Sequence, residues 1–143
     1  MVTMTTTSTP SVDYDKYLQF VDAVTSFPSK DTDEFVTRVR DLEEKGVHIE
    51  RLLTAAVGIT AEGGEFTEIV KKIAFQGKEL SDDVKTHMVK EMGDVFWYLA
   101  QACIALDVDF QTVVMTNMLK LSARYPEGTF DITRSEVRKE GDI

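Results

Sequence analysis

Four acidic side chains form two pairs in which the residues are three apart: Glu62 with Glu65, and Glu91 with Asp94. Residues three apart share one face of a helix, so each pair can direct its oxygens at one point. Four carboxylates held close together repel one another unless a cation lies among them, and an all-oxygen site favours Mg²⁺ or Mn²⁺ over zinc. The spacing therefore predicts a divalent metal site.

A solvated helix face is the alternative for these acids, because a single ExxE pair usually makes only weak surface ion pairs. The second pair differs from the first in its surroundings, since residues 88–99 are otherwise strongly apolar. Acidic residues in such a segment are seldom merely solvated, and they need a partner when they are buried. The second pair therefore favours the metal site.

A turn must bring the two pairs together, and residues 75–78 provide one where the apolar periodicity lapses. Glu65 and Glu91 lie at similar distances along the chain on either side of Gly77. With a rise of about 1.5 Å per residue, both pairs then return to nearly the same height. The sequence predicts an antiparallel helical hairpin that carries the metal site.

Apolar residues recur at helical spacing in five stretches, and none alternates as a strand does. The sequence therefore predicts an all-α fold, a bundle of about five helices. Capping residues and Pro or Gly breaks set the expected bounds. The predicted helices cover residues 14–27, a second stretch up to about 44, 49–75, about 82–106 and about 110–124. The candidate N-caps are Ser29 or Asp31 for the second helix, Ser81 or Asp82 for the fourth, and Asp109 for the fifth.

The length of 143 residues suits one domain with a single core, which we expect to comprise residues 12–128. Residues 1–11 are polar and Thr-rich, as is typical of a disordered arm. Residues 129–143 are polar with mixed charge, which suits a tail lying along a surface or a neighbouring subunit.

Three glycines, Gly58, Gly63 and Gly64, are unusual inside the third helix. Each lowers helix stability by about 1 kcal/mol relative to alanine. Close approach of another helix or a ligand would compensate, and a kink or break near Gly63 is the alternative.

The charge and composition of the chain limit the kinds of molecule that it is expected to bind. The net charge of −9 argues against a nucleic-acid polymer, although a divalent metal could still bridge the protein to a nucleotide. No apolar run approaches the roughly 20 residues of a membrane span, and the N-terminus lacks the regions of a signal peptide. We therefore expect a cytoplasmic protein without membrane contact.

Cys103 is expected to be a small core residue, and His48 and His87 are expected to have surface or capping roles.

The fifth helix supplies basic and amide groups. Asn117, Lys120 and Arg124 share one of its faces and could clamp phosphate oxygens beside the acids, although a solvated face is the alternative. Lys71 and Lys78, near the turn of the hairpin, are secondary candidates for phosphate contact, as is Lys72.

Three segments together resemble the MazG-like nucleotide pyrophosphohydrolases of the all-α NTP pyrophosphatase superfamily. They are TAEGGEFTEIVKK at 60–72, EMGDVFWYL at 91–99 and NMLKLSARYP at 117–126. The family pattern is ExxE, a gap and ExxD, so the resemblance implies that Glu62, Glu65, Glu91 and Asp94 are Mg²⁺ ligands. Members often carry a further acid directly before the first of these. Ala61 stands there in this sequence, which leaves the number of metal ions open.

The resemblance implies hydrolysis of nucleoside triphosphates, (d)NTPs among them, to monophosphate and pyrophosphate, with Asn117, Lys120 and Arg124 at the phosphates. Glu62 or Glu65 would orient or deprotonate the attacking water. A catalytically weak nucleotide-binding or helical interaction module is the alternative, which the missing acid at position 61 supports. Similar short proteins occur in bacteriophages, for which the compartment would be the host cytoplasm.

Assembly into a homodimer or homotetramer is expected on two grounds. The resemblance implies it, and Phe96, Trp97, Tyr98 and Leu99 place apolar groups on nearly every side of one helix. That is more apolar surface than a stripe facing a single intrachain neighbour requires.

Overall fold

The structure is a computed structural model that describes residues 11–137, and the regular elements in this range are all helical. The all-α class predicted from the sequence is confirmed. The helices are α1 (Tyr14–Val24), α2 (Thr32–Glu44), α3 (Ile49–Gln76), α4 (Asp82–Leu106), α5 (Phe110–Arg124) and α6 (Ile132–Glu136), with a 3₁₀ turn at Phe27–Ser29.

Side-chain caps begin most of these helices. Asp31 accepts a hydrogen bond from the Glu34 N–H and so caps α2, and Ser81 caps α4 in the same way through Val84. Asp13, Asp109 and Asp131 cap α1, α5 and α6. These contacts decide between the alternative caps predicted for α2 and α4.

The first helix is shorter than predicted, because it ends at Val24 and not at Phe27. Thr25 has extended backbone angles, and the chain then forms the 3₁₀ turn that contains Pro28. In a continuing α-helix the Pro28 ring would clash with the carbonyl of Val24, four residues earlier, and Pro28 has no N–H to donate to it, which explains why α1 ends at Val24.

The described residues belong to two compact units, one up to Lys45 and one from Gly46. In the first unit α2 packs against the 3₁₀ turn, and the Lys30 ammonium lies 3.2 Å from Asp22 Oδ2. No residue from 11 to 45 is buried. The prediction of one domain over residues 12–128 stays a prediction.

In the second unit α3 and α4 pack against each other along their length and supply the buried residues described there. Those residues are Ala55, Gly58, Ile69, Glu91 and Cys103. The burial of Cys103 agrees with the core position expected for it. Gly77, with φ +71°, ends α3 in the left-handed conformation that glycine adopts readily, and so forms the predicted turn.

Contacts between the two helices establish that they are antiparallel. Arg51 Nη1, near the start of α3, donates to Gln101 Oε1, near the end of α4, at 2.5 Å. Further along, the ring of Tyr98 lies against Gly58. Close approach of a neighbouring helix therefore accounts for Gly58, whereas Gly63 has open space beside it within an unbroken α3.

Two further helices of the second unit, α5 and α6, follow the hairpin. The axis of α5 lies at 94° to that of α4, and the rings of Phe96 and Phe110 are 6.0 Å apart at the bend. Arg134 in α6 makes two contacts, of 2.8 and 3.0 Å, with the Glu127 carboxylate. The predicted polar tail thus contains a short helix.

Parts of the sequence predictions fall outside the described residues, namely residues 1–10 of the disordered arm and 138–143 of the tail. Within residues 11–137 no individual helix has the length and apolarity of a membrane span, although the bent pair α4 and α5 meets both criteria together.

Candidate metal site

Three carboxylates converge where α3 faces α4. Glu62, Glu65 and Glu91 each offer one oxygen, and these oxygens all lie within 4.8 Å of one another. We call these three residues the acid cluster. Glu91 is buried, Glu62 is half-buried and Glu65 is exposed, so the cluster is open to solvent on one side. The hairpin therefore brings the two predicted acidic pairs to the same height.

The donor set fits a hard divalent cation. Ligand oxygens around an octahedral Mg²⁺ ion are about 3.0 Å apart when neighbouring and about 4.2 Å apart when opposite, given a bond of about 2.1 Å. The oxygens of the acid cluster lie within 4.8 Å of one another, so the side chains must close in on the ion to bind it together. All three donors are carboxylates, which suit Mg²⁺ or Mn²⁺.

Asp94, the fourth predicted ligand, lies outside the group of three but acts on it electrostatically. Partial burial, followed by repulsion from Glu65, Asp94 and Glu91, raises the pKa of Glu62 above its ordinary value of 4.5. Negative charge is therefore concentrated at Glu62. A cation or a proton at this point would relieve the repulsion.

His87 contacts the acid cluster, and this contact was missed by the sequence analysis. Its Nε2 lies 2.8 Å from Glu91 Oε1, one helical turn further along α4. The four-residue spacing was the available signal. His48 is exposed at the N-cap position of α3, 3.5 Å from Glu50, in agreement with the surface role expected for it.

An apolar cleft of about 280 Å³ adjoins the acid cluster between α3 and α4. It is lined by Gly63, Phe66, Met92, Val95 and Phe96. Residues of the acid cluster directly precede residues that line the cleft, because Gly63 follows Glu62 and Met92 follows Glu91. A ligand bound at the carboxylates could therefore also contact an apolar surface.

The basic candidates near the turn are partly engaged with an acid. Lys71 forms an ion pair with Glu68, and Lys72 lies 3.3 Å from the same carboxylate. The hydrogen bond from Lys71, together with the contact from Lys72, lowers the pKa of Glu68. Lys78 lies in the connection between α3 and α4. Lys71 would have to share its ammonium between Glu68 and a phosphate, or leave Glu68, to contact the phosphate.

Two of the candidates on α5, Asn117 and Lys120, are not joined to the acid cluster within the described part of this single chain. Asn117 and Lys120 are exposed, and among residues 11–137 neither makes a hydrogen bond or ion pair with Glu62, Glu65 or Glu91. Arg124 is half-buried at the end of α5. Their role at phosphates stays a prediction.

A family model and a phage protein are similar to this chain. The family model of the MazG nucleotide pyrophosphohydrolase domain matches residues 50–129, which include the hairpin and α5. The "Gene 37 protein" of Mycobacterium phage L5 is 37% identical over 82 residues, which are 56% of this chain and 71% of that protein. No solved structure gives a significant match.

Proposed function

The chain belongs to the MazG nucleotide pyrophosphohydrolase domain family, and from this premise we propose that it is a Mg²⁺-dependent enzyme that hydrolyses nucleoside triphosphates. The substrates would be (d)NTPs, and the products nucleoside monophosphate and pyrophosphate. The observation that carries the proposal is the acid cluster of Glu62, Glu65 and Glu91, which lies within the matched residues.

The roles proposed for the acids follow from their positions. Glu62, Glu65, Glu91 and Asp94 would hold Mg²⁺, or Mn²⁺ in its place. When bound, the ion supplies Lewis acidity at a phosphate oxygen and lowers the pKa of a nearby water. Glu62 or Glu65 would orient that water or accept its proton, because both are more accessible than the buried Glu91.

The phosphates would be held by basic groups. Asn117, Lys120 and Arg124 would neutralise charge on the leaving pyrophosphate, and Lys71 and Lys78 are secondary candidates. The apolar cleft beside the acid cluster offers a surface for the nucleoside.

We further propose that the protein is a homodimer or homotetramer. Phe96, Trp97, Met118 and Leu119 are each more than half exposed in the single chain. Apolar surface of this extent on two adjacent helices is typical of an interface between subunits. A second subunit could also bring its α5 to the acid cluster.

We propose that the protein acts in the cytoplasm. Its phage relative suggests a viral origin, and the compartment would then be the cytoplasm of the host. A net charge of −9 supports a small nucleotide substrate and not a nucleic-acid polymer.

The direct test incubates the protein with each NTP and dNTP and Mg²⁺ in ¹⁸O-labelled water. We expect monophosphate and intact pyrophosphate, with the label in the monophosphate, because the attacked α-phosphorus retains the incoming oxygen. EDTA should abolish turnover. Label in pyrophosphate, or diphosphate as the first product, would contradict the proposed attack at the α-phosphate.

Two variants and one control test the acids. Glu65→Ala and Asp94→Ala should lose metal-dependent turnover with an intact far-UV CD spectrum, because each removes only a carboxylate. Glu79→Ala, which removes an acid from the connection between α3 and α4, should retain metal-dependent turnover. Nucleotide binding without turnover by the wild-type protein would favour the second candidate, a weak nucleotide-binding module, which Ala61 supports.

A further inference from the structure

His87 and Glu91 form a polar contact next to the proposed metal ligands. His87 Nε2 is 2.8 Å from Glu91 Oε1. The Glu91 side chain is only 8% exposed, whereas that of His87 is 54% exposed. The contact therefore joins an exposed imidazole to a buried carboxylate.

We infer that His87 is a positioning residue that holds the Glu91 carboxylate in the orientation needed for cation binding. This inference rests on the metal site proposed above. The restraint that we infer is a hydrogen bond from an N–H at Nε2 to Oε1 across this distance, which would limit rotation of the carboxylate and leave Oε2 available to a cation. Both residues lie on α4 four positions apart, so the helix itself fixes their separation.

The geometry favours positioning over direct ligation. The atoms that lie within 4.8 Å of one another belong to Glu62, Glu65 and Glu91, and His87 is not a member of that group. Its contact with Glu91 has the length of a hydrogen bond. A partner that orients a metal ligand in this way typically contributes 10- to 100-fold to metal affinity.

The test measures Mn²⁺ affinity in the full-length protein without nucleotide, using the electron paramagnetic resonance signal of free Mn²⁺. His87→Ala should weaken Mn²⁺ binding about 10- to 100-fold. His87→Gln should recover most of the affinity, because its side-chain amide places an N–H at a similar reach. His48→Ala is the matched control and should bind like the wild type, because His48 lies about 20 Å along α3 from Glu62. Far-UV CD confirms that each variant is folded.

Several results would overturn the inference. Equal Mn²⁺ affinity in the wild type and His87→Ala would remove the positioning role while leaving the metal site in place. Affinity in His87→Gln as low as in His87→Ala would exclude the hydrogen bond as the cause. Nitrogen modulation in the electron spin echo of bound Mn²⁺ would make His87 a ligand. Absence of Mn²⁺ binding in the wild type would overturn the metal site and this inference with it.

Discussion

The ring of Tyr98 on α4 occupies the space beside Gly58 on α3 in which any other side chain at position 58 would lie. This contact is where the two helices of the hairpin approach closely. Trp97 packs edge-on against Tyr98, with ring centroids 4.9 Å apart. The contact lies between the Arg51 hydrogen bond at the open end of the hairpin and the acid cluster, so it helps to set the alignment of the carboxylates.

Replacing Gly58 tests this contact. In Gly58→Ala the new Cβ would overlap the Tyr98 ring, so either the ring must move or the helices must separate. We expect the overpacking itself to lower the free energy of unfolding by about 1–3 kcal/mol. The greater helix propensity of alanine offsets about 1 kcal/mol of that strain. Urea unfolding followed by far-UV CD measures the change.

Gly64→Ala is the matched control, because Gly64 lies on the same helix and a Cβ added there would meet no other described part of the chain within 4 Å. It should raise the free energy of unfolding by about 1 kcal/mol. A Gly58→Ala protein as stable as Gly64→Ala would show that α3 and α4 do not approach closely at Tyr98.

A second prediction concerns Glu62, whose pKa is raised by burial and by the neighbouring acids. The folded state then binds more protons than the unfolded state near this pKa. Protonated Glu62 therefore contributes to the stability of the folded state. This contribution is fully present below pH 4.5 and is lost as the pH rises through the raised pKa of the folded state. In metal-free protein at pH 7, Glu62→Gln should increase the melting temperature. The difference from the wild type should disappear below pH 4.5.

Glu68→Gln provides a control of opposite sign. The hydrogen bond from Lys71 lowers the pKa of Glu68, so its contribution is present above the ordinary value of 4.5 and is lost as the pH falls through the lowered one. This substitution should lower the melting temperature at pH 7. Mg²⁺ should stabilise the wild type and Glu68→Gln but not Glu62→Gln. Scanning fluorimetry with EDTA or Mg²⁺ measures the melting temperatures of the wild type and the two variants. If Mg²⁺ raises the melting temperature equally in all three proteins, Glu62 is not a ligand.

Local signals explain how much of the fold could be predicted. Asp109 and Ser81 cap helices at the expected positions, and Gly77 ends α3 where periodicity lapses, because caps and turns depend on a few adjacent residues. The short α6 was not predicted, since five residues are too few to show helical periodicity. Its cap, Asp131, was the available signal.

Contacts between elements were harder to predict. The numbers of residues on either side of Gly77 predicted that Glu62, Glu65 and Glu91 lie close together. In an antiparallel hairpin, residues that are equally far from the turn lie at the same level on the two helices. Close approach of another helix at Gly58 was only one of the alternatives, and Tyr98 was not predicted as the contact, since sequence does not reveal which residue fills the space beside a glycine. The direction of α5 relative to α4 depends on tertiary packing that helical periodicity does not encode.

A third prediction is that the protein is oligomeric. Trp97 on α4 and Leu119 on α5 are exposed, and a second subunit would remove such surface from water. Light scattering at micromolar concentration should give a mass of at least twice the 16.1 kDa of one chain. Trp97→Glu should shift the protein towards the single-chain mass, because it places a charge in the expected interface. A wild-type mass near 16.1 kDa would contradict the prediction.

The last prediction concerns which subunit supplies the phosphate contacts. Lys120→Ala should lower kcat/KM about 10-fold or more, the effect of losing a hydrogen bond from a charged donor. Because α5 lies at 94° to α4 and Lys120 makes no hydrogen bond or ion pair with the acid cluster of its own chain within residues 11–137, we expect it to act on a neighbouring subunit. Glu65→Ala and Lys120→Ala chains, each impaired alone, should then regain activity when they are refolded together, since one site in a mixed dimer is intact. Mixtures no more active than the separate variants would show that Lys120 serves its own chain.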